Sequence, residues 1–415
     1  MKNIVIITRE YYPQMTPVSA VVDKYIQRMK GAYNFHVICT SYGEEAPPQD
    51  EPYVHIYPVS TYMSRLRGKY EKRYSSNRNN LFYKFVIALF RARSAFWLMK
   101  SYSAPTKWEY EESYKQLLTL SMHIKIDVVV SVSGSLFHAH LAAKKYKENH
   151  PQTKWLTFIT DPITFLDSNF FLFKSKKMME KSYETELSIY NSADYNILVG
   201  DTYYDVIDKF KQPKSKTFHF NLTLDDIRKE ISGYDYKPTE TSDTRIIYAG
   251  KFYRKIRNPD YMLSIMSQIQ NIEFDLFVSS HECLESVVQS TSDTISVHDS
   301  VDTSYYKEMI CNKYDILLNV GNKCTNQMPS KMLEYLSTGR PIINFFYNKD
   351  SQYEMIEKYP LGLNIGRDDS DAVYKVQTFC NEMKGKQLNY EEVETIFPEC
   401  KIDNQVDIFK SLINS

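Results

Sequence analysis

Asn326-Gln327-Met328-Pro329-Ser330-Lys331-Met332-Leu333-Glu334-Tyr335-Leu336-Ser337-Thr338-Gly339-Arg340-Pro341, followed by the apolar run Ile342 to Phe346, reads as helix, stop and buried strand. Pro329 suits the first turn of a helix, where its missing N–H costs nothing and its fixed φ helps. Gly339 and then Pro341 end that helix before the strand. Lys331 and Glu334 fall one turn apart on a shared face. A helix start carrying Ser330 and Lys331 attracts an anion, because its first amides lack intrahelical partners and the dipole is positive there. Glu334, one turn further in, reaches a hydroxyl of the same ligand. The expectation is a site for a ligand that joins phosphate to sugar.

Outward from this stretch, short apolar runs alternate with helical patterns. In the first half the runs are Ile4 to Ile7, Phe35 to Cys39, Asp127 to Val132, Trp155 to Ile159 and Tyr195 to Val199, with helices expected at Val18 to Met29, Leu136 to Lys147 and Lys176 to Asn191. That alternation builds a parallel sheet covered on both faces. The polar, aperiodic stretch 232–244 reads as a linker. A second alternation follows, with strands at Arg245 to Ala249, Glu273 to Val278, Asp315 to Val320, Pro341 to Phe345 and Leu363 to Ile365. The fold class is therefore α/β, two Rossmann-like doubly wound domains facing across a cleft, with the ligand at the C-terminal edges of the strands. The domains are expected at 1–231, 245–390 and a helical segment, 391–415, that crosses back to the first.

Length and composition agree: 415 residues exceed one ordinary core, and 43% hydrophobic with 25% charged residues is a globular balance. Lys plus Arg equals Asp plus Glu at 51 each, which argues against a nucleic-acid binder. The 34 Tyr and 22 Phe suit carbohydrate and interfacial surfaces, although a low-GC coding bias enriches Tyr as readily. Six scattered cysteines without a CxxC pair indicate reduced thiols rather than a disulfide framework or a zinc site. The N-terminus opens as a strand and carries no secretion signal, so a cytoplasmic protein is expected.

Together with Tyr248-Ala249-Gly250-Lys251, the Pro329 to Glu334 helix start resembles the GT-B glycosyltransferases, especially the large family-four type. The resemblance is weak in the first half and more specific from Arg245 to Ile365. It implies that two basic residues after a strand and its Gly turn grip the diphosphate of a nucleotide sugar. Lys251 is the first candidate and Arg257 the second, with Arg254 and Lys255 as competitors. The family carries Glu, seven residues, then Glu, where this chain has Asn326, seven residues, then Glu334. The resemblance assigns Glu334 to the ribose and Asn326 to the donor sugar. An amide still bonds a sugar hydroxyl but brings no negative charge near a developing oxocarbenium ion. Where the family has a glycine-rich turn after its first strand, this chain has Tyr11 to Pro17 without Gly, so side chains must act: Tyr12, Gln14 and Thr16 are the expected acceptor contacts.

Asp161 follows the strand Trp155 to Ile159 and is a candidate base or acceptor-orienting carboxylate, with an Asp-Pro turn as the plainer account. His138, beyond the Ser133-Gly134-Ser135 turn, is a second catalytic candidate, although a lone His near a helix start is more often structural. His138 and His140 do not share a helical face, so no metal site is expected. Asp369-Ser370-Asp371 reads as a helix cap.

Between residues 60 and 107, Arg65, Arg67, Lys69, Lys72, Arg73, Arg78, Lys84, Arg91, Arg93, Lys100 and Lys107 stand against Glu71 alone. Large apolar residues run through the same insertion, from Leu81 to Phe90 and Phe96 to Met99. The charges argue against a spanning helix and for one lying in an anionic membrane interface.

The expected function is transfer of a sugar from a nucleotide-diphosphate sugar (UDP- or GDP-sugar), without a cofactor or metal, to a glycan hydroxyl. The acceptor is expected to be lipid-linked, in bacterial surface polysaccharide biosynthesis, with the enzyme peripheral on the inner face of the plasma membrane. A nucleotide-sugar 2-epimerase and a non-catalytic GT-B-like partner of another transferase are the alternatives.

Overall fold

The computed structural model describes residues 1–9, 11–12, 15–42, 51–77, 80–134, 136–161, 163–165, 176–237, 243–278, 283–323 and 331–415, with 101–106 excepted. It divides into two compact units: Met1–Phe220 with Asp403–Ser415, and Asn221–Ile402.

The first unit holds a seven-stranded sheet: β1 (Lys2–Thr8), β2 (Tyr33–Thr40), β3 (Val54–Val59), β4 (Val128–Ser133), β5 (Lys154–Ile159), β6 (Tyr195–Val199) and β7 (Thr217–Phe220). The second holds six strands: β8 (Thr244–Gly250), β9 (Ile272–Val278), β10 (Ile295–Asp299), β11 (Ile316–Val320), β12 (Ile342–Phe345) and β13 (Gly362–Ile365). Among the described residues all the ladders are parallel. The orders β3-β2-β1-β4-β5-β6-β7 and β10-β9-β8-β11-β12-β13 both reverse direction next to the first strand, between β1 and β4 and between β8 and β11. These are two doubly wound sheets, and each reversal leaves a crevice at the C-terminal strand ends.

Periodicity explains the burial. On β8 and β9, Ile246, Tyr248, Phe274, Leu276 and Val278 enter one core layer while Ile247, Ala249 and Phe277 enter the layer on the other face. Central strands buried on both faces are mostly apolar, and polar side chains within them pair across the sheet, as Thr157 with Asn196 and Asn319 with Asn344. Edge strands need not be apolar, and β3, β7 and β10, which the sequence reading did not expect, are three of the four edges. Their half-polar sequences (VHIYPV, TFHF, ISVHD) carry no continuous apolar run.

The division after Phe220 falls ahead of 232–244, because Leu224 and Ile227 are already buried in the second unit's core. Part of the expected linker is itself tied down there. Tyr236 Oη donates to Asp315 Oδ1 at 2.7 Å, and the Asp235 amide donates to Asn312 Oδ1 at 3.1 Å. The helix Ile402–Asn414 belongs mostly to the first unit: Phe409 packs on Tyr25 and Phe158, and Tyr25 Oη donates to Gln405 Oε1 at 2.9 Å. Lys2 and Lys154 donate to its last carbonyls at 3.0 Å, as cations do at a helix C-terminus.

Candidate functional site

The second sheet's crevice is built from its strand ends. β8 closes on Ala249-Gly250-Lys251, where a Cβ on Gly250 would stand 2.9 Å from Tyr248 Oη, so only glycine lets the strand end cross that ring unstrained. Tyr248 stacks on Phe252, with ring centroids 4.3 Å apart, and its hydroxyl donates to Lys251 O at 3.3 Å. The chain then turns back through Tyr253, whose amide and carbonyl both bond Arg257, at 3.0 and 2.7 Å. That turn aims Arg257 at the loop after β11, where Nε and one terminal nitrogen donate to Asn322 Oδ1 at 3.1 and 2.9 Å.

Lys331 opens the helix Lys331–Ser337. Its ammonium donates to Ala249 O at 2.6 Å and lies 4.8 Å from the centre of the Tyr306 ring, so it is held across the crevice against the end of β8. Burial pushes the Lys331 ammonium below the usual lysine range; Glu334 opposes that shift and Arg257 adds to it. Burial likewise drives the Tyr306 phenol far above its ordinary value, with Tyr335 and Glu334 adding to the effect. The Tyr306 hydroxyl lies by Glu334 and Tyr335 without a hydrogen bond of ordinary geometry among the described residues.

These groups border a cavity of about 550 Å³ whose charged lining residues are Lys251, Arg257, Lys331 and Glu334. Phe277, Ser300, Val301, Thr303 and Tyr306 also line it. The sequence-expected Lys251, Arg257, Lys331 and Glu334 thus meet in one space, and the competitors Arg254 and Lys255 do not line it. Asn326 and Ser330, with Pro329, lie outside the described residues. Chemically, three cations and one carboxylate around a cavity of this size can hold a doubly charged anion joined to a hydroxylated ring.

Sequence reasoning missed the other wall. Phe277 stands one residue from the end of a strand that was read, so strand-end position alone would have picked it out. Tyr306 and Ser300 to Thr303 follow β10, an edge strand without an apolar signature.

In the first unit, Thr16 caps the helix Pro17–Met29, its Oγ1 accepting from the Ser19 amide at 3.2 Å. Tyr12 is half-buried nearby, and Gln14 lies outside the described residues. Asp161, beyond β5, accepts from Thr160 Oγ1 at 3.2 Å, and its Oδ2 is 3.2 Å from where a Cβ on Gly134 would sit. Burial raises the Asp161 carboxyl above the usual range, against that hydrogen bond. His138 is 1% exposed and neither ring nitrogen has a hydrogen-bond partner among the described residues. Burial, helped by the charge of Arg9, lowers its pKa to about 3, so the imidazole is neutral. It lies 3.8 Å from Glu109, a buried carboxylate that accepts from Tyr42 Oη. Sequence reasoning overlooked Glu109, which sits among ordinary helix residues. Among the described residues, no group of His, Cys, Asp and Glu could hold a metal ion, and no helix is long and apolar enough to cross a membrane.

No family model matches the chain, and no curated protein matches it in sequence. Solved structures match over its whole length. Sucrose-phosphate synthase from Thermosynechococcus elongatus shares 11% identity at a TM-score of 0.63, with 100% of this chain and 98% of that one covered. An α,α-trehalose-phosphate synthase (UDP-forming) from Burkholderia vietnamiensis shares 10% at 0.62, with 100% and 98% covered. HepE of Anabaena in complex with UDP and glucose shares 7% at 0.59, with 99% and 100% covered. At these identities the likeness is one of fold, the GT-B fold expected from the sequence.

Proposed function

We propose that the chain is a glycosyltransferase that moves a hexosyl or related group from a nucleotide-diphosphate sugar to a glycan hydroxyl. The observation that carries this reading is the meeting of Lys251, Arg257, Lys331 and Glu334 in one cavity at the strand reversal of the second sheet. The UDP and glucose bound by a protein of the same fold support a UDP-sugar donor, with GDP-sugar as the other candidate. Lys251, Arg257 and Lys331 stabilise the leaving diphosphate, where negative charge grows in the transition state, so the reading requires no metal. Glu334 holds the ribose. Ser330 and Asn326 enter the proposal from the sequence alone, as phosphate and donor-sugar contacts. On the acceptor side, Tyr12, Gln14 and Thr16 contact the glycan. Asp161 is the candidate base, its carboxyl raised above the usual range by burial, with the enclosed His138 as second candidate.

The test is to incubate the purified chain with UDP- and GDP-sugars, with and without glycan acceptors, and to follow nucleoside diphosphate release. Acceptor-dependent release is expected. A new sugar formed from donor alone would replace the reading with epimerisation. Donor binding without release in any acceptor screen would replace it with a non-catalytic role.

The proposed acceptor is lipid-linked, in bacterial surface polysaccharide biosynthesis, and the protein peripheral on the cytoplasmic face of the plasma membrane. The helices Tyr62–Ser76 and Leu81–Lys100 support this. At about 100° per residue, Leu81, Phe82, Phe85, Leu89 and Phe96 fall within an arc of about 100°. All five are between 54% and 78% exposed, while Ile87 on the opposite side is buried. On the neighbouring helix Arg65, Lys69, Lys72 and Arg73 share an exposed face. An apolar stripe beside a basic face matches the acyl and headgroup layers of an anionic bilayer, each inserted Phe or Leu contributing about 1.5–3 kcal/mol and each cation about 1 kcal/mol. The triple substitution Phe82→Ser, Phe85→Ser, Leu89→Ser is expected to abolish flotation with vesicles containing phosphatidylserine, and high salt to weaken wild-type binding. Wild-type protein that ignores such vesicles, or binds neutral ones equally well, would end the membrane reading.

A further inference from the structure

The cavity's lining is of two kinds. Lys251, Arg257, Lys331 and Glu334 are charged, whereas Phe277 and Val301, with the hydroxyl-bearing Ser300 and Thr303, are not. Phe277 pairs in register with Ala249, whose carbonyl accepts from Lys331, so the phenyl ring adjoins the cations. Phe277 is 9% exposed, yet it lies on the cavity wall rather than wholly inside the core.

What holds the Phe277 ring is a polar chain. His298, directly opposite in the parallel register of β10, stacks on Phe277 with centroids 4.6 Å apart and planes 19° from parallel. The His298 Nε2–Asp275 Oδ1 hydrogen bond is 2.6 Å long, and Tyr314 Oη donates to Asp275 Oδ2 at 2.7 Å. Asp275 stands two residues before Phe277 on the same face of β9, so one carboxylate fixes the imidazole from the strand it pairs with. Packing alone would not call for a carboxylate bridging two rings; the bridge sets the plane and position of the stack. With one face of the phenyl ring against an imidazole, a flat ring on its other face would extend the stack.

We infer that Phe277 is the platform on which the nucleobase of a nucleoside-diphosphate ligand stacks, and that His298, Asp275 and Tyr314 are positioning residues that hold it. The inference rests on the donor-site reading above and adds the end of the ligand that the cations do not touch. It orders the ligand along the cavity as diphosphate on Lys251, Arg257 and Lys331, ribose on Glu334 and base on Phe277. A ring held in place before binding loses little freedom when the base arrives.

The experiment is calorimetric titration of the full chain with inorganic pyrophosphate and, separately, with UDP, GDP and ADP. Base–aromatic stacking is worth about 1–3 kcal/mol, roughly five- to 150-fold in affinity. Phe277→Leu is expected to weaken the best-binding nucleoside diphosphate by about tenfold or more and to leave pyrophosphate affinity unchanged. Phe277→Tyr, which keeps the ring, should stay within about twofold of wild type for both. His298→Ala should follow Phe277→Leu to a smaller extent, again sparing pyrophosphate. Unchanged nucleotide affinity in Phe277→Leu overturns the platform, and so does an equal loss of pyrophosphate and nucleotide, which marks a structural role. Failure of the donor site reads differently: Lys331→Ala then leaves both ligands unaffected, or wild-type protein binds none of them.

Discussion

Lys331→Ala is expected to lower kcat for sugar transfer by about 10²–10³-fold while thermal stability stays near that of wild type. The ammonium is fixed by Ala249 O and the Tyr306 ring before any ligand arrives, so it needs no reorganisation as charge develops on the leaving diphosphate. An interaction that strengthens in the transition state lowers kcat and kcat/KM together when removed. Glu334→Ala is expected to raise the donor KM instead, by about tenfold, because a ribose contact is the same in ground and transition states. Burial depresses the Lys331 pKa. In the proposed donor site the protonated form holds the diphosphate, so donor affinity should fall as pH climbs through that lowered value, and the fall should vanish in Lys331→Ala. Steady-state kinetics on both variants decide the matter; rates within twofold of wild type would sink the assignment.

Gly339→Ala is expected to destabilise the second unit strongly. Gly339 sits at φ +71°, past the end of the helix Lys331–Ser337, in the left-handed region that costs other residues free energy. An added Cβ would also stand 2.0 Å from Leu388 O, a backbone atom. Neither partner can swing away, because Leu388 N donates to Gly339 O at 2.9 Å and Arg340 is fully buried with a hydrogen bond to Cys311 O. The combined cost should exceed about 4 kcal/mol, a fall of roughly 10 °C or more in Tm. Gly233 supplies the control: its φ is +84°, but nothing lies within 4 Å of a Cβ there. Gly233→Ala carries the backbone strain alone, about 1–2 kcal/mol. Calorimetry that finds the two variants equally stable would show that the close approach to Leu388 does not matter.

The stretch from Asn326 to Phe346 was legible for a physical reason. Helix stop and buried strand are local events written in Gly339, Pro341 and Ile342 to Phe345, and the spacing of Lys331 and Glu334 puts both on one face whatever surrounds them. The central strands were legible too, since burial on both faces selects runs that are mostly apolar. Lys251 and Arg257 were separable from Arg254 and Lys255 only by the turn that ties Tyr253 to Arg257, which depends on hydrogen bonds rather than composition. His138 illustrates the opposite case, because a histidine near a helix start reads the same whether it faces solvent or is sealed behind Glu109.

By itself, then, the amino-acid order determined that two parallel sheets form, roughly where their central strands run, and that Lys331 and Glu334 share one helix face. Those properties follow from hydrophobic period and residue chemistry, which act over a few neighbours. Only the tertiary structure decided that Phe277, Tyr306 and the turn after β10 complete the same cavity. These contacts join residues far apart in the chain, and partnership across such distances is settled by the packing of whole elements.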